Sequence, residues 1–299
     1  MNKIIFLFFT LILASCSSSK IITLATQGEL SQKVFNEEIP IYYLGKHIFI
    51  EVKINRKVYT FLFDTGYDIS TIDKSLIEEI TFTPLRKQTT TGSSFEDVKL
   101  QYGFLSSLDI GGVEFKNFGI GLQDLSNVKS PFSDGRKIYG IIGTNILRKA
   151  FWQIDYQIQI VRFSNIIENF QFTSDAFQIN MKPKTSSNWG LNRIKVTVHG
   201  LTDNFVFDTG SFGSFSVNYD YMERLKKEQK PLKAKINNDN SEKPKYIIDQ
   251  LKVDSLELEN QELLVEKDID LLIGNDFFDD YIVTIDWNAN KLYLQHIEK

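Results

Sequence analysis

The chain has 299 residues, 42% of them hydrophobic and 24% charged, with a formal net charge of -4. That balance excludes a disordered chain and is enough to bury the core of one large or two ordinary domains. The mild acidity, with no basic stripe, gives a nucleic-acid partner no footing, and a single cysteine excludes an internal disulfide. Aromatics reach 13%, recurring with Ile in short runs, which favours strands.

At the N-terminus, Lys3 precedes the apolar run Ile4 to Leu13. Ten residues are too few to span a bilayer, so residues 1–15 read as a signal peptide. Leu13-Ala14-Ser15-Cys16 resembles the bacterial lipobox, which implies that Cys16 is lipidated and tethers the chain to a membrane. Ser17-Ser18-Ser19-Lys20 reads as a polar tether, and the lack of Asp after Cys16 resembles the sorting signal for the outer membrane. Residues 16–38 are the tether and a weakly patterned N-terminal segment.

Ile39 to Leu44 reads as one strand ending at Gly45-Lys46. Ile48, Ile50, Val52 and Ile54 then alternate with His47, Phe49, Glu51 and Lys53, the period of a half-buried strand. After a turn at Asn55-Arg56-Lys57 comes Phe61-Leu62-Phe63-Asp64-Thr65-Gly66, an apolar run that stops at Asp-Thr-Gly. The same phrase returns 144 positions later as Phe205-Val206-Phe207-Asp208-Thr209-Gly210.

At that spacing Ile50, Val52 and Ile54 fall on Ile194, Val196 and Val198. Leu108-Asp109-Ile110 falls on Leu251-Lys252-Val253 and Asn117 on Asn260, both 143 apart. Gly140-Ile141-Ile142-Gly143 falls on Leu271-Leu272-Ile273-Gly274 and Asp155-Tyr156 on Asp286-Trp287, both 131 apart. One unit is therefore repeated, and the first copy carries an extra loop around Gln123 to Lys137. The copies divide near Ser164 to Asp175, giving lobes at 39–168 and 169–299. Helical patterning is confined to Asp73–Ile80, Thr144–Phe151, Tyr219–Lys230 and Asn275–Tyr281, so the fold class is mainly β with two similar lobes.

A carboxylate ending a buried strand is costly unless compensated. Two copies facing across a pseudo-two-fold bring equivalent positions together, so Asp64 and Asp208 are expected to meet near that axis. Such a pair shares one proton and can serve one water as acid and base. A single Asp there would be an ordinary turn residue. Asp155 and Asp286, also repeated, read as hairpin-turn residues.

The Asp-Thr-Gly turns, taken with Ile141-Ile142-Gly143 and Leu272-Ile273-Gly274, resemble the pepsin and retropepsin superfamily of aspartic proteases, especially exported bacterial members with two halves. The resemblance runs from about Pro40 to Lys299. It implies a bilobal fold with a cleft between the lobes, an endopeptidase activity, and Asp64 and Asp208 as the catalytic dyad. By the same resemblance Thr65 and Thr209 cross-link the loops, and Gly66 and Gly210 let backbone amides approach the carboxylates. Ile142-Gly143 and Ile273-Gly274 back the dyad, and Ser211 offers its hydroxyl to Asp208. Tyr67 departs from the small residue expected after the Gly, and is expected either to turn outward or to remodel the site. A flap over the cleft is expected at Thr89 to Ser94, with Gly92 and Ser93 at its tip and Tyr102 the nearest candidate for a flap tyrosine.

His47, His199 and His296 are scattered without metal spacing, so no metal or cofactor is expected. Gly111-Gly112 reads as a hairpin turn, with Asp254-Ser255 as its counterpart. The expected partner is a peptide or protein substrate, and a monomer suffices because both acids lie in one chain. The expected location is the bacterial envelope, lipid-anchored at the outer membrane and facing the periplasm or the cell surface. The rival readings are a non-catalytic relative that binds a peptide or protein in the cleft, and a structural envelope lipoprotein.

Overall fold

The computed structural model describes residues 22–85, 100–183, 190–228, 232–235 and 244–297. In the first lobe His47–Ile54 pairs antiparallel with Lys57–Phe63, the strand that delivers Asp64. That strand lies parallel to Ile138–Ile142, which runs antiparallel to Thr71–Asp73, which in turn is parallel to Val113–Gln123. The second lobe repeats the order and sense with Asn192–Val198, Leu201–Phe207, Leu272–Ile273, Phe215–Asn218 and Gln261–Glu266. The apolar runs before each Asp-Thr-Gly and each apolar-apolar-Gly are thus parallel neighbours. Phe63 faces Ile142 in one lobe and Phe207 faces Ile273 in the other. Phe61 and Phe63 share one face of their strand and Phe205 and Phe207 one face of theirs, and all four are fully buried; on the opposite faces Val206 is buried and Leu62 partly so.

Turn chemistry follows the repeat. Ile110 pairs with Val113 around Gly111-Gly112, and Val253 with Leu256 around Asp254-Ser255. Gly111 and Asp254 both have positive φ, as do Asn117 and Asn260. Gly and Asn or Asp adopt that region at little cost, which is why these landmarks match across the copies. Asp155 accepts from the backbone N–H groups of Gln157 and Ile158, and Asp286 from that of Ala289, as hairpin-turn residues do.

A sheet shared by the lobes joins them. Phe151–Asp155 pairs antiparallel with Tyr281–Asp286, flanked by Ile160–Ser164 and Lys291–His296 and then by Asn36–Pro40 and Phe177–Pro183. Gln153 lies opposite Thr284, its own repeat equivalent, and donates to the Thr284 hydroxyl at 2.9 Å. The pseudo-two-fold axis therefore passes between these two residues.

Three sequence readings change. The run Ile39 to Leu44 is two strands, because Asn36–Pro40 joins the shared sheet while Tyr42–Leu44 pairs within the first lobe. The helices are shorter than patterned. Thr144–Leu147 and Asn275–Phe278 stop where the chain must turn into the shared sheet, and Asp73–Ile80 holds only the 3-10 turn Lys74–Leu76, since Asp73 ends a strand. Tyr219–Lys227 is a full helix, its first turn capped by the Asn218 side chain and its last carrying Arg224, Lys226 and Lys227. Finally, Phe49 is buried rather than outward. Phe132 of the extra loop packs against it at 5.2 Å between ring centroids, with Ile138, Tyr42, Leu44 and Leu62 around them. The loop is fixed by the buried carboxylate of Asp73, which accepts from the Leu125 N–H at 2.9 Å and from Lys137 at 3.0 Å.

Candidate active site

Each Asp-Thr-Gly turn starts where its strand leaves the parallel ladder. The Asp64 N–H donates to the Ile142 carbonyl at 3.0 Å and the Asp208 N–H to that of Ile273 at 2.9 Å. Ile142 and Ile273, both fully buried, back the turns. Gly143 and Gly274 are held in register, the N–H of the first donating to the Ser70 hydroxyl oxygen at 2.9 Å and that of the second to the Ser214 carbonyl at 3.1 Å.

The turns then interlock across the axis. The Thr65 N–H donates to the Thr209 hydroxyl oxygen and the Thr209 N–H to that of Thr65, both at 3.0 Å. Each hydroxyl donates onward, Thr65 to the Phe207 carbonyl at 2.9 Å and Thr209 to the Phe63 carbonyl at 3.0 Å. Both threonines are buried, so these four bonds satisfy groups that water cannot reach.

This lock brings Asp64 and Asp208 together. Each carboxylate accepts from the N–H of the Gly two residues on, Asp64 from Gly66 at 2.7 Å and Asp208 from Gly210 at 2.8 Å. Each Gly also lies against the opposite acid. A Cβ on Gly66 would sit 2.3 Å from Cγ of Asp208, and one on Gly210 would sit 2.4 Å from Oδ2 of Asp64. Glycine is therefore required by the partner's carboxyl, which leaves no room for a Cβ.

Burial raises both acids above the ordinary carboxylate range, but unequally. Asp64 is pushed well up by desolvation and then by the charge of Asp208, with which it also shares a hydrogen bond. Asp208 is also raised by desolvation, opposed by the Gly210 N–H, the bond from Asp64, the charge of His47 and the Ser211 N–H. Pushed further above the ordinary range, Asp64 is the member on which a shared proton is favoured. Asp64 is 8% exposed and Asp208 half-buried, so both still touch solvent.

Ser211 reaches Asp208 through its backbone N–H rather than the expected hydroxyl. Tyr67 neither turns outward nor enters between the acids. Its ring folds onto its own lobe, where the phenol donates to Gln123 at 3.2 Å and accepts from Thr71 at 3.4 Å. Tyr102 stands near it, at the base of a hairpin in which Phe82–Pro84 pairs with Gln101–Ile110. The proposed tip residues Gly92 and Ser93 lie outside the described residues, as does Cys16. Among the described residues, no group of three or more His, Cys, Asp or Glu side chains is gathered as metal ligands would be.

One further group has no counterpart among the residues singled out from sequence. Asn275, wholly buried after the second Ile-Gly, donates from one amide to the Thr209 carbonyl at 2.6 Å and to the Lys46 carbonyl at 2.7 Å. Its oxygen accepts from the Tyr156 hydroxyl at 2.9 Å. Around it, Lys46 bridges Asp276 and Asp279, each at 2.7 Å, and Tyr43 donates to Asp279 at 2.8 Å. On the other side of the axis Arg148 takes the position of Asp279, donating to the Gly190 carbonyl at 2.8 Å and lying 4.9 Å from the Trp287 ring. Burial lowers that guanidinium to about 10. The adjacency of Asn275 to the motif was the available signal; its partners come from distant strands.

Two β-barrel-like lobes, mirrored Asp-Thr-Gly turns locked by their threonines, and a shared sheet beneath define the bilobal aspartic-protease fold. A sequence profile described as aspartyl protease matches residues 50–146 and 194–277. These regions make up more than half of the chain, and the chain belongs to that family as a duplicated retropepsin-like member. A comparison with curated proteins found no match.

Proposed function

We propose that this protein is an aspartic endopeptidase held at the bacterial envelope by lipidated Cys16. The observation that carries the reading is the pair of acids packed against each other, each against the other's glycine, at the solvent-reached junction of the lobes. Asp208, the anion, takes a proton from a water lodged between the carboxyls as its oxygen attacks the peptide carbonyl carbon. Asp64 gives its proton to the carbonyl oxygen, yielding a neutral gem-diol. Asp208 then returns its proton to the departing nitrogen as the C–N bond breaks, and Asp64 recovers one from the diol. No covalent enzyme intermediate forms, and neither a metal nor a cofactor is required. One chain supplies both acids, so a monomer is competent.

The non-catalytic alternative draws its support from Tyr67; the bonds of that phenol to Gln123 and Thr71 of its own lobe favour the catalytic reading. The anchor rests on Leu13-Ala14-Ser15-Cys16. Peptide-library cleavage from pH 3 to 7 tests the activity. The wild type should give a bell-shaped profile, and Asp64→Asn and Asp208→Asn should each lose at least a hundredfold. A wild type inert throughout, or variants that cleave as well as it does, would end the peptidase reading.

A further inference from the structure

The two catalytic turns are followed by unlike residues, and the sheets behind them differ in the opposite sense. Tyr67 comes after Gly66, and Ser211 after Gly210. In the first lobe Thr71, Gly121 and Tyr102 are neighbours across three strands. Ser216, Leu264 and Lys245 hold the same places in the second. Gly121 offers no side chain, whereas Leu264 is buried beside the Asp208 turn. A Cβ added to Gly213 of that turn would lie 3.9 Å from Cδ2 of Leu264 and 3.2 Å from Oγ of Ser216. The second lobe thus fills the space next to its turn from the sheet. The first fills it from the turn.

The hollow over Gly121 is walled by Thr71, Leu100 and Tyr102, whose atoms lie 3.3–3.4 Å from an added Cβ. The Tyr67 phenol reaches this wall at the Thr71 hydroxyl, 3.4 Å away. It also donates to Gln123 at 3.2 Å, on the same face of the strand as Gly121. At its other end the residue is held by its carbonyl, which accepts from the Thr144 N–H at 2.8 Å and lies 2.5 Å from where a Cβ on Gly143 would sit. Pinned at tip and backbone, the ring cannot swing aside without breaking these bonds. Solvent still reaches Tyr67, Gln123 and Tyr102, while Thr71 and Leu100 behind them are buried. The ring is therefore a partly open wall, starting one residue after the glycine packed on Asp208.

A peptide bond attacked at the dyad lies on the pseudo-two-fold axis, so the side chains flanking it fall to opposite lobes. On the second lobe the flanking turn offers only the small Ser211 and Gly213 close to the acids. On the first it offers Tyr67. We propose that Tyr67 is a specificity-determining residue: its ring restricts the first-lobe side of the cleft to peptides with a small side chain, glycine, alanine or serine, next to the scissile bond. This rests on the dyad being the site of peptide hydrolysis.

The test uses the full chain as wild type, Tyr67→Phe, Tyr67→Leu and Tyr67→Ser. Two peptide series are cleaved, one varying the residue before the scissile bond and the other the residue after it, through Gly, Ala, Leu and Phe. Wild type should disfavour Leu and Phe at one of the two positions. At that position alone, Tyr67→Ser should raise kcat/KM for Phe relative to Ala by at least about tenfold, with Tyr67→Leu between it and wild type. Tyr67→Phe should keep the wild-type ratio, because the ring remains. Should the Ser variant fail to fold, the Leu variant carries the same comparison. Phe-to-Ala ratios unchanged by the loss of the ring at both positions would overturn the proposal. A wild type that cleaves none of the peptides would defeat the peptidase reading by itself. Calorimetric affinities of the same peptides for wild type and the variants would then decide the wall, and equal discrimination, or no binding to any, would overturn it.

Discussion

Replacing Gly66 by Ala tests whether the dyad is as tightly built as its geometry indicates. The added Cβ would lie 2.3 Å from both Cγ and Oδ1 of Asp208 and 2.7 Å from Oδ2. Ordinary carbon contact is about 3.5 Å, so something must yield by more than about 1 Å. The Asp208 carboxylate cannot simply swing away. It is bonded to the Gly210 N–H at 2.8 Å, and its turn is locked to the first lobe by Thr65 and Thr209. Overpacking of this kind costs about 1–3 kcal/mol. A displacement of about 1 Å between reacting groups costs about a hundredfold in rate. Urea unfolding should therefore show a loss in that range while circular dichroism keeps its β signature, and peptide cleavage should fall about a hundredfold in kcat. Gly210→Ala, whose Cβ would meet Oδ2 of Asp64 at 2.4 Å, should behave alike. A Gly66→Ala protein with wild-type stability and a kcat within twofold of wild type would refute the reasoning.

Two further outcomes are expected. Thr209→Val preserves shape but deletes the acceptor for the buried Thr65 N–H and the donor to Phe63, so urea unfolding should show a loss of about 2–4 kcal/mol; unchanged stability would mean that the lock is idle. Asp64→Asn should be more stable than wild type at neutral pH. The folded protein holds Asp64 above its unfolded value, so the wild type is favoured while that acid is protonated and loses stability as pH rises from the unfolded value, about 3.9, through the folded one. Asn never ionises, so the stability gap between variant and wild type should open above about pH 4 and then level off once Asp64 has titrated. A gap that stays flat with pH would show that burial does not raise this acid.

The repeat itself was readable because identical local demands leave identical residues. A strand set in the core takes an unbroken apolar run such as Phe-Leu-Phe or Phe-Val-Phe, and a left-handed turn position takes Gly, Asn or Asp, as at Gly111 and Asp254. The pairing of Phe63 with Ile142 and of Phe207 with Ile273 was implied by the order of landmarks. The helices were overdrawn, since periodic apolar residues after Gly143 and Gly274 serve the shared sheet as well as the short helices. Nothing in the alternating pattern of residues 47–54 foretold that the outer face of Phe49 would be covered, because its cover is Phe132, more than eighty residues away.

The amino-acid order alone determined that there are two copies, that each ends a buried strand in a carboxylate, and that Gly must follow. Tertiary structure alone decided that the copies meet face to face, with Gln153 against Thr284 on the axis and each Gly against the opposite acid. It also decided that the two acids titrate as a pair, since proton affinity follows from burial and from charges close in space, and each acid is buried against the other.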